Sequence, residues 1–122
     1  MSTRWIRRAT ALAVVLASGA TAVPALGHAP VIGTSPANGA TVSPISSVSV
    51  RFGAAVVTGT MSVSRSNGSA VARRSAGLDP HNKARLRATF ARKLTSGRYT
   101  VSWRARATDG HSERGTFSFR VR

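Results

Sequence analysis

Tyr99-Thr100-Val101-Ser102-Trp103-Arg104-Ala105-Arg106 alternates apolar and polar side chains at every step. Successive side chains of an extended strand point to opposite faces, so this stretch buries Tyr99, Val101, Trp103 and Ala105 and leaves the others in water. The same period recurs on both sides of it. Val48, Val50 and Phe52 alternate with Ser49 and Arg51, and Met61 and Val63 with Ser62 and Ser64. Leu86, Ala88 and Phe90 alternate with Arg85, Arg87 and Thr89, and Phe117, Phe119 and Val121 with Ser118, Arg120 and Arg122. Half-buried strands of this kind build antiparallel sheets, and two such sheets must cover each other's apolar faces. The pattern predicts an all-β sandwich or partly open barrel, with Tyr99, Trp103, Phe117 and Phe119 in its core.

Turn signals separate the strands. They are Ser35-Pro36-Ala37-Asn38-Gly39, Asn67-Gly68, Asp79-Pro80-His81-Asn82, Ser96-Gly97 and Asp109-Gly110. Asn-Gly between two extended runs predicts a tight hairpin at Asn67-Gly68. No amphipathic helix follows residue 27, and short helical turns are expected only near Pro44 and over residues 91–95.

The first residues obey a different logic. Arg4, Arg7 and Arg8 flank Trp5, residues 9–22 carry no charge, and Val23-Pro24-Ala25-Leu26-Gly27 follows. A positive head, an apolar run and a small-residue cleavage region make a secretory signal peptide. The apolar run falls short of the ~20 residues of a membrane-spanning helix. Two cuts satisfy the small-x-small pattern: one after Gly27, which releases His28, and one after Ala25, which releases Leu26. The chain thus reads as a signal peptide over 1–27 and one exported domain over 28–122, in the periplasm or at the cell surface. No later apolar run is long enough to span a bilayer, so that domain is expected to be soluble.

Composition narrows the chemistry. The chain has no Cys, which removes disulfides, thiolate nucleophiles and thiolate metal ligands. Beyond residue 27, fifteen Lys and Arg stand against Asp79, Asp109 and Glu113 alone. Such a field favours anionic partners, an envelope polymer or acidic lipid surface among them. No aromatic residues interleave the arginines, so a base-stacking platform for specific nucleic-acid binding is not expected. At the wet positions of strands, Arg charges can lie in water while their stems cover apolar surface.

Few residues can carry a site. The chain has three His: His28, His81 and His111. On an extended segment Asp109 and His111 face one side, so a carboxylate oxygen and an imidazole nitrogen could converge on one ion. Gly110 between them allows the backbone to bend. If the signal is cut before His28, that residue adds an α-amine and a second imidazole. A nitrogen-rich set with one oxygen favours Cu(II) among divalent metals. His81 reads as a surface residue, with a weak second site at Asp79 and His81 as the alternative. Met61, the lone Met beyond the signal, fits the core pattern.

At these residues the sequence resembles the CopC family of periplasmic copper-resistance proteins. The resemblance rests on His28-Ala29 after the signal, Ser35-Pro36-Ala37-Asn38-Gly39-Ala40, and the Pro44, Val48, Val50, Phe52 segment. It continues through Gly97-Arg98-Tyr99-Thr100-Val101-Ser102-Trp103-Arg104, Asp109-Gly110-His111 and Gly115-Thr116-Phe117-Ser118-Phe119. It implies a seven-stranded Greek-key β-sandwich of immunoglobulin-like, cupredoxin-like topology. It also implies a non-enzymatic copper carrier or buffer, with His28, Asp109 and His111 as Cu(II) ligands. Some members carry a Met-rich Cu(I) site, which a chain with Met61 alone is expected to lack. Family members pass copper to or from an inner-membrane partner, expected here as a separate chain. Two features depart from the family pattern. One is the high positive charge. The other is Glu113, where the family commonly has an apolar residue; it reads either as a neighbour of the site or as a solvated partner of Arg106 or Arg114. A basic module binding an anionic envelope surface and a copper-dependent oxidative enzyme are the rival functions at this level.

Overall fold

A computed structural model describes residues 29–122; the signal-peptide reading and His28 lie outside the described residues. Eight strands follow in order: β1 (Val31–Ser35), β2 (Thr41–Val42), β3 (Ser47–Phe52), β4 (Val56–Arg65), β5 (Ser75–Asp79), β6 (Asn82–Thr89), β7 (Gly97–Ala107) and β8 (Ser112–Val121). They form two four-stranded sheets, ordered β1-β3-β6-β5 and β2-β8-β7-β4. The chain changes sheet at every connection except the hairpins β5–β6 and β7–β8. This is the sandwich that the alternation predicts. The eighth strand is the two-residue β2, which pairs parallel to the end of β8. No helix occurs among the described residues, so the turns expected near Pro44 and over 91–95 are bends and extended chain instead. Their backbone is tied to strands: the Phe90 and Leu94 amides donate to the Ser46 and Ile45 carbonyls.

The core is made by the inward members of each alternating run. Val48, Val50, Phe52, Leu86 and Ala88 come from one sheet, and Met61, Val63, Tyr99, Val101, Trp103, Phe117, Phe119 and Val121 from the other. Phe52 meets Trp103 edge-to-face across the gap, with ring centroids 5.3 Å apart, and Tyr99 stacks on Phe119 at 5.6 Å. Such aromatic pairs add to area burial because ring edges and faces carry opposite partial charge. Tyr99 is fully buried, yet its hydroxyl donates to the Thr95 carbonyl at 2.6 Å, four residues upstream, which pins the entry to β7. Among the described residues no buried side-chain nitrogen or oxygen lacks a partner. A chain this basic folds because its arginines occupy the outward register.

The turns behave largely as predicted. Asn67 and Gly68 reverse the chain after β4: the Gly68 amide donates to the Arg65 carbonyl, and the Asn67 side chain accepts from the Ser69 amide. The returning arm is a single bridge, Ser64 to Ala70, not a full strand. The Asn38-Gly39 turn docks on β8. The Gly39 amide donates to the Ser118 carbonyl, and the Ser118 amide donates to the Asn38 side chain.

Asp79 is more than a loop residue. It is 3 % exposed and caps its own turn. Its Oδ1 accepts the His81 amide at 2.8 Å, and Oδ2 accepts Arg85 Nε at 2.8 Å and Nη2 at 2.5 Å. The His81 amide, and then Arg85, hold this carboxyl below its usual range, against a smaller opposing effect of burial. Both oxygens are therefore committed to structure. A register shift lies between Leu78 and Asp79, and the carboxylate is covered by its own turn and by Arg85.

Candidate metal centre

The site is built at one end of the sandwich by the β7–β8 hairpin. β7 ends at Ala107, whose amide donates to the His111 carbonyl, while the Gly110 amide donates to the Ala107 carbonyl. Gly110 has φ +88°, a conformation open to glycine and strained for other residues. Asp109-Gly110-His111 is thus a turn, not the extended segment assumed from the sequence, and the two side chains converge for a different reason. The Asp109 carboxylate reaches forward over the turn. One oxygen accepts the His111 amide at 2.9 Å, and the other lies 2.9 Å from His111 Nδ1. Asx turns of this kind arise because a short acidic side chain can accept its own backbone two residues on.

The pair suits ligation of one ion. An oxygen and a nitrogen 2.9 Å apart can both lie ~2.0–2.2 Å from a metal at roughly a right angle, as neighbouring ligands do. The His111 side chain is 71 % exposed, whereas that of Asp109 is 17 % exposed. The carboxylate is thus largely covered by the fold, while the imidazole stands at the surface. Among the described residues no group of three or more His, Asp or Glu side chains forms a cluster able to hold a metal. Asp109 and His111 are thus a pair of potential donors among the described residues, short of a three-residue set.

Pairing shows which end of the fold this is. Ala107 pairs with Val56 at the start of β4. Three residues before Val56, the Gly53 amide donates to the Pro30 carbonyl. Val31 pairs with Phe52. The described chain thus begins at the same end as the Asp109–His111 turn, and its first residue, Ala29, is buried at 1 % exposure. Glu113 lies on the inward register of β8, opposite Ala105, and is half-buried. His81 is exposed, and Asp79 is engaged as described, so the structure does not bring these two together as a second metal pair. Met61, at 1 % exposure, is core.

A family model described as the CopC domain matches residues 31–122. No curated protein matches the chain. Among solved structures, CopC from Methylosinus trichosporium OB3b is 25% identical with a TM-score of 0.65, over 77% of this chain and 93% of that one. PcoC, a methionine-rich copper resistance protein from Escherichia coli, shares the fold at 19% identity and a TM-score of 0.66, over 78% of this chain and 99% of that one. With the family pattern running through every described strand, the chain belongs to the CopC domain family.

Proposed function

We propose that this protein is an exported, non-enzymatic copper(II) carrier or buffer that holds one Cu(II) through His28, Asp109 and His111. The observation that carries this reading is the Asp109–His111 pair, converged at 2.9 Å on the end of the sandwich where the described chain begins. With His28 as the first residue of the mature chain, its α-amine and imidazole join that pair. The resulting donors are chiefly nitrogen, a set that ranks Cu(II) above its neighbours in the first transition series. The Asp109 carboxylate offsets part of the ion's charge, which matters in a domain otherwise so basic. The exposed His111 leaves the ion accessible to a separate acceptor, such as a membrane copper transporter. The packing of Met61 in the core supports a centre without a Met-rich Cu(I) site beside it.

The test is a Cu(II) titration of the exported protein, its N-terminus verified by intact mass, beside His111→Ala. One Cu(II) per chain and a marked loss of affinity in the variant are expected. An unchanged affinity and spectrum in His111→Ala would sink the three-residue site and leave binding by the N-terminal tail alone.

A further inference from the structure

The outer face of the sheet β2-β8-β7-β4 is a ladder of arginines and hydroxyls. Reading β7 against β8, Arg98 pairs with Arg120, Thr100 with Ser118, Ser102 with Thr116, and Arg104 with Arg114. On the other side β4 adds Ser64, Ser62 and Thr60 opposite Thr100, Ser102 and Arg104. Two arginine pairs therefore stand ~20 Å apart along β7, separated by rungs of Ser and Thr. Like charges directly opposite each other destabilise a sheet. Among the described residues no ion pair joins any of these four arginines to a carboxylate. The other sheet has a like pair too, Arg51 opposite Arg85, but there Asp79 neutralises Arg85. Among the described strand pairings, arginines that stand directly opposite each other with neither member engaged by a carboxylate therefore occur on this face only.

Grooves follow the same ladder. One of about 510 Å³ lies at Arg104 and Arg114, with Thr60, Ser62, Ser102 and Thr116 around it and Trp103 and Gly115 at its floor. Another of about 220 Å³ lies at Arg98 and Arg120, with Thr41 and Ser118 beside them. The outward side chains between the two pairs are Ser and Thr, so the face has nothing to insert into a bilayer, and Trp103, 9 % exposed beside Gly115, offers little ring surface on which a base could stack. Guanidinium forks match oxyanions bidentately, and Ser and Thr hydroxyls both donate and accept. We propose that this face binds a linear acidic polysaccharide, the arginine pairs holding its oxyanions and the rungs between them its hydroxyls. The metal centre is at the end of the sandwich, so a chain held on this face leaves it open.

The experiment measures binding of the exported protein to polygalacturonate at low and moderate salt, with neutral dextran, acidic phospholipid vesicles and duplex DNA as comparison probes. Arg104→Gln/Arg114→Gln is compared with the charge-matched Arg51→Gln/Arg87→Gln on the opposite sheet, and thermal unfolding verifies that both fold. Polygalacturonate should bind and dextran should not, with affinity falling as salt screens the charges. The Arg104/Arg114 variant should lose about tenfold or more, because each lost charged hydrogen bond removes a comparable factor. The Arg51/Arg87 variant should stay within about threefold of the parent, since distant exposed charges are largely screened. Equal losses in the two variants would overturn the proposal. So would absence of polygalacturonate binding at low salt, including the case where vesicles or DNA bind instead.

Discussion

Gly115→Ala should destabilise the domain, although Ala is a better strand residue than Gly. Gly115 faces inward on β8 directly opposite Trp103. A Cβ there would lie 2.7, 2.9 and 3.0 Å from three atoms of the rigid indole. The ring cannot swing away freely, because Phe52 packs edge-on against it at 5.3 Å. Overpacking of this kind costs about 1–3 kcal/mol. Gly115 has an ordinary φ, so the substitution also gains about 0.4–1 kcal/mol by restricting the unfolded chain. At mid-range the net loss is about 1.3 kcal/mol, and each kcal/mol lowers the melting temperature of a domain this size by about 4–8 °C. Thermal unfolding followed by circular dichroism or calorimetry measures it. Adding Trp103→Phe supplies the control, since the smaller ring leaves room for the new methyl. The double variant should then be more stable than the sum of the single effects predicts. A Gly115→Ala protein as stable as its parent, or strict additivity in the cycle, would refute the argument.

Asp79→Asn should weaken the fold near neutral pH, and the difference from the parent should shrink in acid. The folded carboxyl titrates below its reference value of 3.8, so its contribution is complete above that value and disappears as pH falls through the lower, folded one. Denaturant midpoints across this range check the sign, and a difference that grows in acid would contradict it. Met61→Leu should leave Cu(I) binding unchanged and cost less than about 1.5 kcal/mol, as a volume-conserving core exchange does. A Cu(I) competition assay that detects lost affinity in this variant would show that Met61 is a ligand.

Much of this protein is legible in one dimension because a strand encodes its two faces by simple alternation. Tyr99 to Arg106, and the runs around Val50, Met61, Leu86 and Phe119, have unambiguous inward and outward members, and all the inward ones named are buried. Turn residues were equally readable, since Asn-Gly and Asp-Gly suit tight reversals and little else. Asp109 and His111 could be singled out because acids and histidines are scarce in a chain otherwise rich in arginine.

The hairpin geometry was not so readable. Extended backbone and an Asx turn both bring residues two apart together, and only the folded turn shows that the carboxylate reaches forward to the His111 amide as well as its ring. The burial of Asp79 was not readable either: its turn signal was plain, but only the fold shows that Arg85 becomes its partner. Cross-strand register is invisible in the same way. Sequence alone determined that arginines lie on wet faces. Tertiary structure decided that Arg98 stands opposite Arg120, and Arg104 opposite Arg114, on one sheet with no ion pair to a carboxylate among the described residues, while Arg85 on the other is neutralised. The physical reason is that alternation is a local property of the backbone, whereas pairing is chosen by how two sheets close over a common core.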